Sequence, residues 1–181
     1  MSVYNVPAHT DMERHYRSQT EYGKYGRLIC TPVCCLTTIA FVKNEFSDEF
    51  IDQAMRAAHS MYEGRGGHQP MMLQELTYTF TAENISFYEA AGLTHTGVRE
   101  QIEGLLLCPL SVLIKEIMQK RQSLIVTYSG HTVCYLLARH GTLLHFDPLP
   151  ATLKDVTDTW RQTLPTSDAE YSALVISCGC A

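Results

Sequence analysis

Two short apolar runs joined by a three-residue polar break constrain this chain more than any other feature. Gly130-His131 opens the first run, TVCYLLA over 132–138, and Asp147-Pro148 closes the second, TLLHFD over 142–147. Arg139-His140-Gly141 between them reads as a turn, so the unit predicts two adjacent antiparallel strands. Side chains alternate between the faces of a sheet, and pairing register decides what the ends of such a hairpin bring together. A three-residue turn, or one with a bulge at Gly141, puts the odd positions of both strands on one face. His131 and Asp147 are then close neighbours, whereas a two- or four-residue loop separates them. A carboxylate that accepts from one imidazole nitrogen fixes the tautomer and frees the other nitrogen to act as a base.

About a hundred residues upstream, YGRLICTPVCCLTTIAFV over 25–42 holds three cysteines, Cys30, Cys34 and Cys35. Pro32 fits the first turn of a helix over 31–43, where a missing N–H costs nothing. Cys30 falls at the cap or first position of that helix. Free N–H groups and the positive end of the helix dipole favour a thiolate there. Cys34 and Cys35 fall about one turn inside, beside Leu36, Ile39 and Ala40, and read as small buried hydrophobes. Cys30 is therefore the expected nucleophile, with His131 as base and Asp147 as the acid that orients it. His145 shares the face of Asp147 and is the second candidate for the basic or orienting imidazole. Asp147-Pro148 also fits an acidic strand terminator that makes an Asx-type turn. Acyl transfer needs donors for the developing oxyanion. The Cys30 amide is one, and Gln19 is the only glutamine or asparagine between Asn5 and Cys30.

A length of 181 residues with 45% hydrophobic and 18% charged content suits one domain, 1–181, with a real core. The balance of 19 acidic against 14 basic residues disfavours nucleic acid or an anionic membrane as the main partner. No apolar run is long enough to span a bilayer, and the N-terminus lacks the apolar core of a signal peptide. Seven cysteines cannot all pair internally, which with no secretion signal predicts reduced thiols and a cytoplasmic protein. Cys34-Cys35 and Cys178-x-Cys180 lack the ligand gap of a zinc knuckle, so no metal and no cofactor are expected.

Residues 1–26 read as an extended arm, 31–121 as mainly helical and 123–178 as mainly sheet. A helix after Ser47 carries Phe50, Ile51, Ala54, Met55, Ala58 and Met61 at helical spacing. A short one fits Pro70 to Leu76, and another Leu110 to Arg121, while 83–90 fits strand or helix. Strands are expected over 123–128, 131–138, 142–147 and 172–178, with a helix or turn over 152–163 around Trp160. Helices first and a mostly antiparallel sheet later is an α+β layout.

Cysteine early, histidine late and acid soon after is the chain order of papain-like cysteine hydrolases. Ser18-Gln19, then Tyr22-Gly23-x-Tyr25-Gly26, then Cys30 with a second cysteine four residues on, resembles the start of the herpesvirus large tegument protein deubiquitinase domain. The stretch from Leu124 to Pro150, closing on Phe146-Asp147-Pro148, resembles its end, and residues 45–108 match nothing in it. The resemblance implies a papain-like fold, with the nucleophile helix packed on the sheet and the site in the cleft between the two halves. It implies cleavage of the isopeptide bond after the C-terminal glycine of ubiquitin or polyubiquitin. The expected agent is a monomer without cofactors in the cytoplasm, that of the host if the source is a virus or a bacterial effector. It implies Gln19 for the oxyanion, Cys30 as nucleophile and Asp147 as orienting acid. The herpesvirus pattern continues Asp-Pro-His, with that histidine as base, but Leu149 stands there. The base role then falls to His131. Gly130 becomes a candidate wall of the channel for the ubiquitin tail, and the Gly64–Gly67 loop a candidate flap. Two other readings stay open: a cysteine protease acting on another ubiquitin-like modifier or a general peptide, and an inactive papain-like module that binds ubiquitin or a host protein.

Overall fold

The computed structural model describes residues 30–43, 49, 85–94, 100–102, 104–138, 141–149, 152–165 and 169–177. The expected arm, the helix after Ser47 apart from the helical Glu49, the helix after Pro70, Gln19 and the Gly64–Gly67 loop lie outside the described residues. The first described element is α1, Cys30–Lys43, and twelve of its fourteen residues are buried. Apolar and small residues occur all round it, so no face is left for solvent and the helix belongs in the interior.

The described strands are β1 (Ser86–Leu93), β2 (Glu100–Ile102), β3 (Leu105–Leu107), β4 (Gln122–Tyr128), β5 (His131–Leu137), β6 (Leu143–Asp147), β7 (Thr152–Asp155) and β8 (Glu170–Ser177). They form one sheet in the order β2-β3-β1-β8-β4-β5-β6-β7. Only β1 with β3 pairs parallel; every other neighbouring pair is antiparallel. The fold is mixed α/β with a mostly antiparallel sheet.

The second long helix, α2 (Leu110–Lys120), is amphipathic in the ordinary way. It buries Leu110, Leu113, Ile114 and Ile117 and exposes Lys115, Gln119 and Lys120. Arg121 ends it in the left-handed conformation, with its N–H donating to the Ile117 carbonyl, and the chain turns at once into β4. The buried face of α2 packs on Leu124, Val126, Val133, Tyr135, Leu137 and Leu143. The other face of β4 and β5 lies against α1. The central strands are thus covered by a helix on each side.

The expectation of a mainly helical 31–121 fails over 86–107, where β1, β2 and β3 lie. SFYEAAGL contains good helix formers, Glu89, Ala90 and Ala91, but all eight of its residues pair with β8. Pairing on both sides overrides local preference. The segment 152–163 also departs from expectation. It splits into β7 and a short 3₁₀ turn, Trp160–Thr163, because the β6 edge takes Thr152 to Asp155 as partners. Trp160 is buried and Arg161 stacks over its ring at 4.4 Å. The other long elements fall within two residues of their expected ends.

Candidate active site

Two tight turns place the imidazole and the carboxylate. Tyr128 pairs with His131, so β4 and β5 are joined by only Ser129 and Gly130. Both have positive φ, +50° and +75°, the requirement of a type I′ hairpin turn. His131 is therefore the first residue after a short, stiff turn. Gly130 is exposed and a Cβ there would meet nothing within 4 Å, so the turn conformation itself calls for the glycine. At the far end of β5, the Ala138 N–H donates to the Thr142 carbonyl at 2.8 Å, which leaves three residues, 139–141, in the loop. Gly141 supplies its positive φ of +81°. The resulting register pairs Tyr135 with His145 and Cys134 with Phe146, keeping odd positions of both strands on one face.

His131 Nε2 and Asp147 Oδ1 lie 2.8 Å apart. The same carboxylate oxygen accepts from the Leu149 N–H at 3.0 Å. Asp147 thus holds its own turn and the imidazole together, so the two sequence readings of Asp147-Pro148 coexist. With Nε2–H donated to Asp147, Nδ1 is the ring nitrogen left for other work. That work is at Cys30, whose thiol and the His131 ring act on one another. Cys30 is the first residue of α1 and is 7% exposed.

Burial alone would push the Cys30 thiol up. The hydrogen bond to His131, the Thr132 N–H, the Thr132 side chain and the His131 charge together outweigh it, and the thiol falls below its usual range. The bond to Cys30 is also the largest influence on His131. Partial burial opposes it, Asp147 adds to it, and the imidazole is pushed up to about 9. The two shifts have the signs of a thiolate facing an imidazolium.

One turn further along α1 the same residue type behaves oppositely. Cys34 is fully buried, and burial with the neighbouring Cys134 thiol pushes it well above the ordinary range. It donates to the Thr132 carbonyl at 3.4 Å. Burial also pushes Cys35 far up. Both are free thiols, as are Cys30, Cys108 and Cys134. His145, the second imidazole candidate, sets its ring against Tyr135, with centroids 5.0 Å apart at 62°. Burial pulls its pKa down. Its Nε2 is buried with no hydrogen-bond partner, and Asp147 pairs with His131 instead.

The structure thus brings Cys30, His131 and Asp147 together, places Gly130 in the turn beside them, and leaves Gln19 outside the described residues. Two residues escaped the sequence analysis, Thr31 and Thr132, whose hydroxyls meet at 2.8 Å. Each directly follows a candidate catalytic residue, in Cys30-Thr31 and His131-Thr132, and that shared following threonine was the available signal. Among the described residues, no group of three or more His, Cys, Asp or Glu is placed to hold a metal ion. No described helix is long and apolar enough to cross a membrane.

No family model and no curated protein matches the sequence. Among solved structures, the chain is similar to the ubiquitin-specific protease encoded by the murine cytomegalovirus tegument protein M48, crystallised in complex with a ubiquitin-based suicide substrate. The match has a TM-score of 0.57 at 15% identity and covers 90% of this chain and 84% of that one. At that identity the likeness is one of fold.

Proposed function

We propose that this chain is a papain-like cysteine hydrolase that cleaves the isopeptide bond after the terminal glycine of ubiquitin. The observation that carries the chemistry is the Cys30–His131–Asp147 constellation, with its lowered thiol and raised imidazole. The choice of ubiquitin rests on the fold shared with a viral ubiquitin-specific protease and on the terminal motifs that resemble the herpesvirus tegument domain.

In this reading the Cys30 thiolate attacks the glycine carbonyl. The new C–S bond pushes the carbonyl electrons onto oxygen, and the oxyanion rests on the Cys30 N–H and the Gln19 amide. Collapse reforms the carbonyl and breaks the C–N bond, and the departing lysine amine takes the proton from His131 Nδ1. Water then attacks the thioester and gives a proton to the same nitrogen, and release of the thiolate restores the starting pair. Asp147 keeps the ring oriented and its charge supported throughout. Gly130 lines the tail channel, and one domain acts as a monomer in the cytoplasm, of a host if the protein is viral or an effector. An inactive binding module has no use for a thiolate held against its own burial, and His131 supplies the base that Leu149 does not.

The test is reaction with a ubiquitin bearing a C-terminal electrophile. A single adduct at Cys30, absent with electrophiles built on other ubiquitin-like modifiers, supports the reading. A folded protein that binds ubiquitin with no adduct overturns it in favour of the binding module.

A further inference from the structure

Thr132 uses every polar group it has on α1 and on one neighbour in the sheet. Its N–H and its side chain both lie close enough to Cys30 to lower that thiol, and its carbonyl accepts from the Cys34 thiol at 3.4 Å. Its Oγ1 lies 2.8 Å from Thr31 Oγ1 and 2.8 Å from Thr127 Oγ1. Thr132 is 1% exposed and Thr31 3%, so water does not stand in for these partners.

Counting hydrogens fixes the direction of the chain. A hydroxyl carries one proton and two lone pairs. A thiolate can only accept. When Cys30 is ionised, Thr132 therefore donates its single proton to sulfur, and its two lone pairs accept from Thr31 and Thr127. All three contacts of Thr132 Oγ1 are then satisfied with none left over. When Cys30 is a neutral thiol, nothing dictates that order. The charge on sulfur and the orientation of three hydroxyls are thus one event, and a donor that itself accepts two hydrogen bonds is strengthened by them.

We propose that Thr132 is a positioning residue for the nucleophile: its hydroxyl, backed by Thr31 and Thr127, holds the Cys30 sulfur as a thiolate at the start of α1. This rests on Cys30 being the reactive thiol, but it is read by alkylation of Cys30 without any ubiquitin substrate. The measurement is the apparent pKa of Cys30 from the pH dependence of iodoacetamide modification, with the adduct located by mass spectrometry.

Thr132→Val keeps the side-chain shape and removes the hydroxyl. It should raise that pKa by about one unit, or about tenfold slower alkylation at a fixed pH below it. Thr132→Ser should restore the wild-type profile. Thr127→Val touches Thr132 rather than Cys30 and should shift the pKa the same way by less. A folded Thr132→Val with an unchanged profile, or a Thr132→Ser that fails to restore it, overturns the proposal. If Thr132→Val does not fold, an unchanged profile in Thr127→Val overturns it. A wild-type Cys30 that titrates like an ordinary thiol sinks the nucleophile reading and this proposal together. A low wild-type pKa with no response to Thr132→Val sinks this proposal alone.

Discussion

The two faces of the central strands are made from alternate residues of the same segments, and they have different chemistry. Toward α2 stand Leu124, Val126, Val133, Tyr135 and Leu137. Toward α1 stand Ile125, Leu136 and Phe146 together with Thr127, Thr132 and Cys134, and the last three meet Thr31 and Cys34 through hydroxyls and thiols. A buried aliphatic side chain stabilises by about 1.5–3 kcal/mol, whereas one more hydrogen bond adds only about 0.5–1.5 net. Both faces bury aliphatic side chains, so the folding energy is shared between them, and the α2 face asks mainly for volume. The α1 face adds hydroxyls and thiols that fix individual atoms, and the Cys30 thiol lies at its rim. His131 and Asp147 share the odd parity of the α2 face but stand at strand ends, so the surroundings of Cys30 should be separable from the α2 core by position along the strands.

The sharpest break is at the site itself. Cys30→Ala should abolish labelling by a ubiquitin electrophile in a protein that still melts cooperatively. His131→Ala should lower turnover by about 10²–10⁴, the usual worth of a general acid–base. It should also send the Cys30 thiol upward, because burial is then unopposed by its main counterweight. In the α2 core, Leu113→Ala should cost about 2–5 kcal/mol in urea unfolding while leaving turnover of the folded fraction unchanged. If Leu113→Ala alters the alkylation profile of Cys30 in the folded protein, that separation fails.

The pH dependence sharpens the same contrast. Cys30 gains its charge as pH rises through a value below the usual thiol range, so alkylation should saturate early. His131 stays protonated until about 9 and then loses the proton owed to the leaving amine. Turnover should therefore fall above about 9 while alkylation does not. Coincident alkaline limbs for the two would show that His131 is not the acid. A smaller effect is expected at Asp147→Asn. The amide oxygen can still accept from Nε2–H, but the charge that supports the imidazolium is gone, so the alkaline limb should move to lower pH. Smallest of all, Cys34→Ala should cost about 1 kcal/mol by removing one thiol donor and a small buried group, with labelling retained. Loss of labelling in a folded Cys34→Ala would move the nucleophile one turn along α1.

Much of this arrangement was legible because it depends on parity and position. Gly141 and the length of the 139–141 loop set the face of Asp147, and Pro32 set the start of α1 close enough to single out Cys30. What was not legible depends on partners far away in the chain. β1 reads as helix or strand until β8 is known to lie beside it, with Ser86 paired to Ser177 and Leu93 to Glu170. β7 is a strand because β6 offers an open edge. Thr31 and Thr132 look like ordinary β-branched residues until the hydroxyls are seen to face one another.

That last contact joins residues 101 positions apart, and the same interval separates Cys30 from His131. Contacts of such span form late, because loop closure must be met before they return anything. A chain still on the ribosome, or held half-folded by a chaperone, has no imidazolium beside its cysteine, and the thiol then titrates like any other. In the proposed reading, reactivity is thus withheld until this long-range contact forms, and a nascent copy carries no activated thiol with which to attack its surroundings.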